Sequence, residues 1–200
     1  MRQRPCAPLS TCAAALACLL VASPSFANGS ITGTVSAKQA KLRKNAVVYI
    51  ERGKRDTYPP LPTAHVGQER QEFIPFVTPV VRGTTVLFSN SDNTGHNVFT
   101  PDGEKFDAGV FNKGETYTYT FKAEGVYTLL CKLHPSMISY VVVLQNPHFA
   151  VTADDGSFRI DDVPAGDYTV KLWHERKVAD PQRLQVTDGG TSIATFELRK

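Results

Sequence analysis

The chain predicts an all-β protein, a sandwich rather than a closed barrel, and three observations predict it. Thr116 to Phe121 (TYTYTF) alternates hydroxyl and aromatic side chains with period two, the pattern of a strand with one buried face. Short β-branched or aromatic runs recur at Thr84 to Phe88, Val126 to Leu130, Ile138 to Leu144 and Tyr168 to Trp173. Turn chemistry separates such runs, at Asn90-Ser91-Asp92-Asn93, Pro101-Asp102-Gly103, Asp154-Asp155-Gly156 and Pro164-Ala165-Gly166. After the first 27 residues no segment of useful length has helical period.

The first 27 residues read differently. Arg2 and Arg4 form a short positive region, Ala13 to Ala22 is an unbroken apolar run, and small residues stand at Ser25 and Ala27. The run is shorter than the roughly 20 apolar residues that span a bilayer. This is the pattern of a secretory signal peptide cut after Ala27, and it predicts an exported, periplasmic protein. A lipoprotein reading through Cys18 is disfavoured, because Ala15-Leu16-Ala17 puts the leucine in the wrong place. Cleavage leaves 173 residues, enough for one large or two small domains. It removes two arginines, so the formal charge falls from +3 to +1. No membrane span is expected in the remainder. No long Lys/Arg run is present, so no nucleic acid is expected as a partner.

Cysteine use narrows the chemistry. Cys6, Cys12 and Cys18 leave with the signal, and Cys131 remains alone. A single thiol in an oxidising compartment is buried, paired between chains, or bound to metal. Its neighbours point to metal: Cys131-Lys132-Leu133-His134-Pro135-Ser136-Met137 is Cys-x2-His-x2-Met between two strands. A trigonal site of one thiolate and two imidazoles with a weak axial thioether is the blue-copper arrangement. The motif supplies three of those four donors. His96 follows a polar turn and opens a strand, which suits it to be the fourth. Zinc could take the same atoms, but its structural sites rarely use a thioether. His65, His148 and His174 read as structural residues. A second copper centre built from two of them would make the protein an enzyme, and their spacing does not suggest one.

His96-Asn97 upstream and the Cys-His-Met loop between strands resemble the cupredoxins, plastocyanin and pseudoazurin among them, and most closely amicyanin, in the loop spacing and in Pro135. The likeness runs from about Gln71 to Gln145 and includes Val86 to Asn90 (VLFSN), Phe121 to Tyr127 (FKAEGVY) and Val141-Val142-Val143. It implies a Greek-key sandwich holding one type 1 copper on His96, Cys131, His134 and Met137, with Asn97 and Pro135 supporting the ligand loops. The whole chain is similar to exported cupredoxin-domain proteins often labelled methylamine-utilisation proteins. Val151 to His174 resembles a second family, the carboxypeptidase-regulatory-like, transthyretin-like β-sandwich. That family opens with strands like Gly29 to Val35 and Asn45 to Ile50, here about a hundred residues upstream.

The expected division is therefore a signal peptide at 1–27, N-terminal strands at 28–51, a Pro-rich linker at 52–71, a cupredoxin domain at 72–145 and a regulatory-like sandwich at 146–200. Either the N-terminal strands complete the C-terminal sandwich, with the cupredoxin inserted between them, or they begin the cupredoxin itself. Trp173 is expected in the core of the C-terminal sandwich. The resemblance implies an electron carrier working with a redox protein, a cytochrome or a dehydrogenase, through the edge of His134 ringed by Leu133, Pro135 and Met137. Lys132 favours an acidic partner surface. Two other readings stand beside this one: a non-redox module for copper delivery or for protein or glycan binding, and an enzyme with a second metal. Oligomeric state is not legible in the sequence.

Overall fold

A computed structural model describes residues 27–200. The expected signal peptide, apart from Ala27, lies outside the described residues. Among these, no helix is long and apolar enough to cross a membrane. Among the described residues, a 3-10 turn at Ala40–Leu42 is the one helical element beside the strands. The strands are β1 (Gly29–Ala37), β2 (Val47–Ile50), β3 (Ala64–Glu69), β4 (Glu72–Ile74), β5 (Val77–Val81), β6 (Thr85–Asn90), β7 (His96–Thr100) and β8 (Phe106–Phe111). They continue with β9 (Thr116–Thr120), β10 (Gly125–Leu130), β11 (Ile138–Leu144), β12 (Phe149–Val151), β13 (Ser157–Val163), β14 (Gly166–Trp173), β15 (Gln182–Val186) and β16 (Thr191–Leu198).

These form four sheets, ordered β4-β3-β6-β9, β5-β11-β10-β7-β8, β12-β2-β14-β15 and β13-β1-β16. The period-two alternation of side chains shows how they stack. On β11, Val141 and Val143 face a core shared with Val66, Phe88, Phe121 and Leu129. Val142 and Leu144, on its other face, meet Val47 of β2 and Val77 of β5. On β2, Val48 and Ile50 face a further core with Ile31, Val35, Phe158, Val170 and Phe196. The sheets therefore lie in four layers with three apolar fillings. The two inner sheets are buried on both faces, which is why Val141-Val142-Val143 and Ala46-Val47-Val48 read as continuous apolar runs rather than as alternation.

The first strands of the chain pair with the last. β1 lies between β13, antiparallel, and β16, parallel. β2 lies between β12 and β14, antiparallel to both. Ile31, Val35 and Val48 share their core with Phe158 and Val170, whereas Trp173 does not join them. Trp173 sits on the opposite face of β14 from Val170 and packs edge-on against Tyr140 of β11, ring centroids 5.1 Å apart. Its place is the junction between the inner sheets and not the C-terminal core that the sequence suggested.

The expected linker at 52–71 is also shorter than predicted. Ala64–Glu69 is β3, parallel to β6 and antiparallel to β4, and Val66 and Gln68 are buried. Its polar side chains and the nearby Pro59, Pro60 and Pro62 conceal it in the sequence.

Candidate metal centre

Two structural features bring the predicted donors together. Cys131 follows β10 and Met137 precedes β11, and Leu130 pairs with Ile138 directly beneath the loop that joins them. The Met137 amide donates to the His134 carbonyl at 3.0 Å, closing the turn inside the loop. Leu130 also pairs with Phe99 on β7, the strand that His96 opens. The Asn90–Gly95 turn before it is held by Asn90, whose side-chain amide donates to the carbonyls of Thr94 at 2.8 Å and Phe111 at 3.0 Å.

His96 Nδ1 and His134 Nδ1 lie 3.0 Å apart, and Cys131 Sγ is 3.8 Å from His134 Nδ1. All three donor atoms fall within 4.8 Å of one another, the one such cluster among the described residues. His96 and Cys131 are buried, and His134 is partly exposed. Met137 is buried in the same core as Cys131. Pro135 lies exposed beside His134.

The arrangement fits a metal ion. His96 Nε2 meets the Asp92 carboxylate at 2.7 Å, so Nε2 is the donor and Nδ1 presents a lone pair. A second imidazole nitrogen 3.0 Å away is then a poor neighbour unless a shared proton or a cation lies between the two. Metal–nitrogen distances of about 2.0 Å and metal–sulfur distances of about 2.3 Å place donors on one ion roughly 3–4 Å apart. The separations here suit that geometry. A cysteine sulfur with two imidazoles is a soft to borderline donor set that suits copper.

Asn97 joins the two ligand segments. It is buried, its backbone amide points at Cys131 Sγ at 3.4 Å, and its side-chain oxygen accepts from the Lys132 amide at 3.4 Å. Two further residues were not singled out from sequence. Asp92 accepts from the amides of Arg70 at 2.7 Å and Gln71 at 2.9 Å as well as from His96. The Gln71 amide above all, then the His96 ring and the Arg70 amide, hold its carboxyl below the usual range. Asp107 faces Asn97, Gly109 and Lys132. An acid four residues before a ligand histidine was a readable hint for Asp92. Nothing in the sequence pairs Asp107 with Asn97 until the register of β7 against β8 is known.

The remaining histidines stand apart from the cluster. His65, exposed on β3, hydrogen-bonds Ser89 at 2.7 Å. His148 is buried edge-on to Tyr58, and His174 is buried with Nδ1 accepting from the Arg176 amide. Burial lowers the pKa of both. Lys132 is paired with Asp107 and lies over the Phe99 ring, 5.4 Å from its centroid.

Residues 63–145 match the family of copper binding proteins, plastocyanin/azurin family. With the donor set above, that match makes copper the cofactor of this part of the chain. The match begins at residue 63, just before β3. Solved structures with related folds include a copper-containing nitrite reductase from Thermus scotoductus, 28% identical with TM-score 0.41. The similarity covers 48% of this chain and 25% of the reductase, so the chain spans about a quarter of that protein's length. A purple cupredoxin from Nitrosopumilus maritimus is 26% identical with TM-score 0.37, over 40% of this chain and 98% of the other. Amicyanin from Paracoccus versutus is 23% identical with TM-score 0.38, over 48% and 96% respectively. No curated protein matches the chain.

Proposed function

We propose that the protein is an exported, periplasmic electron carrier with one type 1 copper on His96, Cys131, His134 and Met137. The observation that carries this reading is the convergence of a buried cysteine sulfur with two imidazole nitrogens at one end of a cupredoxin sandwich. Copper supplies a one-electron couple whose two oxidation states tolerate nearly the same ligand geometry.

The chain's own residues do the rest. β7 and the β10–β11 hairpin fix the donors in advance, so little rearrangement accompanies a change of charge. Asp92 sets the His96 tautomer. Asn97 directs its amide at the sulfur, which offsets thiolate charge. Met137 would supply a thioether donor from within the core, and its burial removes it from the surface ring expected around His134. Leu133 and Pro135 remain exposed there, and the partly exposed His134 edge between them is the proposed port. Pro135 limits the freedom of the loop beside that port. The partner is another redox protein, met through a small and weak interface. On this reading the protein passes electrons and is not itself an enzyme.

Copper titration of the purified protein, followed by visible and EPR spectra, tests the proposal. A single equivalent giving intense thiolate-to-Cu(II) absorption and reversible one-electron cycling is expected. Cys131→Ser should abolish the band and leave the fold intact, while Met137→Leu should retain copper at a raised potential. A band that survives Cys131→Ser would overturn the assignment.

A further inference from the structure

The Asp107 carboxylate stands on β8, outside the donor set, yet three groups around the centre converge on it. Its Oδ1 accepts from Asn97 Nδ2 at 2.7 Å and from the Gly109 amide at 3.0 Å. Its Oδ2 pairs with Lys132 Nζ. Asn97 uses its second side-chain proton on the Gly109 carbonyl at 2.9 Å. Lys132, the residue after Cys131, returns its own amide to Asn97 Oδ1. The result is a closed ring of contacts, Asp107–Asn97–Lys132–Asp107, that ties β8, β7 and the cysteine loop together. It spans the point where the β7–β8 ladder shifts register, between the Asn97–Val110 pair and the Phe99–Asp107 pair.

We infer that Asp107 is a positioning residue for the metal centre. It holds the buried Asn97 amide group, and through it the backbone N–H that reaches Cys131 Sγ, while its second oxygen holds Lys132 down on the same side. It does not touch the donors. The two oxygens differ in weight. Oδ1 satisfies a buried amide, whereas the ion pair at Oδ2 is about half exposed on both partners and so contributes little by itself. The Lys132 hydrogen bond, followed by those of Gly109 and Asn97, keeps the carboxyl ionised, with a pKa of about 2. The inference rests on the copper reading for its metal-bound consequence, but the ring is a property of the protein and can be measured without copper.

The metal-free test is the rate at which a thiol reagent such as DTNB modifies Cys131, which is 3% exposed in the folded chain. Asp107→Ala removes both oxygens and should speed modification by about tenfold or more. Asp107→Asn keeps an acceptor for Asn97 and Gly109 and should restore a rate near wild type. Lys132→Met removes only the ion pair and should change the rate less than about threefold. In copper-loaded protein the same order should appear in metal release, faster by about 10–100-fold in Asp107→Ala, the usual effect of losing a group that orients ligands. Thermal melts run in parallel identify unfolding. If Asp107→Ala unfolds, the comparison of Asp107→Asn with Lys132→Met decides: the first near wild type supports the inference. An unchanged thiol rate in a folded Asp107→Ala overturns it, and so does an Asp107→Asn variant as reactive as Asp107→Ala. Absence of copper binding by the wild type would overturn the proposed function and leave the thiol measurement valid.

Discussion

At His96 the ring nitrogen that faces the centre is selected by the one that does not. Asp92 takes the Nε2 proton, and two backbone amides hold Asp92 in turn. Asp92→Ala is therefore expected to weaken copper binding by about 10–100-fold in a competition titration. Unchanged affinity would mean that packing around the ring suffices to orient it. Acid stability follows from the same groups. The folded state depresses the carboxyls of Asp92 and Asp107, so their stabilisation is present above the unfolded value of about 3.9 and lost as pH falls, for Asp107 towards about 2. Burial of His148 and His174 depresses their pKa values too. Protonation then favours the unfolded chain, and this stabilisation is present above about pH 6.5 and lost below it. Urea midpoints should fall between about pH 7 and pH 5 and again below about pH 4. Replacing both histidines with Gln should flatten the first decline, and a decline that persists in full would assign it to other groups.

The two-residue turn between β3 and β4 illustrates an element-scale compromise. Arg70 and Gln71 have φ of 55° and 59°, and Glu69 pairs with Glu72, which makes this a type I′ turn built from residues poorly suited to it. Each left-handed non-glycine residue costs roughly 1–2 kcal/mol. In that conformation the two amides point together at Asp92, which offsets part of the cost. Asn and Gly at these positions adopt the same backbone with less strain, while the added glycine freedom in the unfolded chain costs about 0.5–1 kcal/mol. Arg70→Asn with Gln71→Gly should therefore raise stability by about 1 kcal/mol in urea titrations and leave the copper spectrum unchanged. A loss of stability would mean that the side chains of Arg70 and Gln71 make contributions that outweigh the strain.

The same element shows what a sequence conceals. Strands rich in valine and aromatic residues, such as Ile138–Leu144, announce themselves because their composition and their burial agree. Ala64–Glu69 does not, since Gln68 is fully buried there and prolines stand just upstream. The donor motif was legible because three of its groups lie within seven residues. Asp92, four residues before His96, left a local hint, whereas Asp107 left none, because its bond to Asn97 runs between strands whose register no local pattern encodes.

Across the whole molecule, the inner faces of β11 and β2 make the two sandwiches neighbours through a shared apolar layer. Val47, Val77, Val142 and Leu144 are buried there, and Tyr49, Tyr140, Phe149 and Trp173 pack against them. Burying an aliphatic side chain of this size contributes roughly 1.5–3 kcal/mol, so four of them outweigh the few contacts that usually leave linked domains free to move. We propose that the cupredoxin is an insertion between β2 and β12, carried by a sandwich whose first two strands and last five come from opposite ends of the chain. On this arrangement two chain crossings and the Val142 layer couple the domains. Two probes lie in useful places. Trp173, the one tryptophan of the chain, reports on the junction, and the copper band would report on the far end of the cupredoxin. Their denaturant transitions should coincide in the wild type. Val142→Asp puts a charge into the layer without touching the core around Cys131, because Val142 points away from Val141 and Val143. A buried unpaired carboxylate is costly enough to open the layer. The variant should keep its copper spectrum, show a red-shifted Trp173 emission, and lose the tryptophan transition at lower denaturant than the copper band. Transitions that already differ in the wild type would show that the layer is too weak to couple the sandwiches. Loss of the copper band together with the tryptophan signal in Val142→Asp would show instead that the cupredoxin depends on its neighbour to stay folded, and the insertion would then be one cooperative unit with the sandwich that carries it.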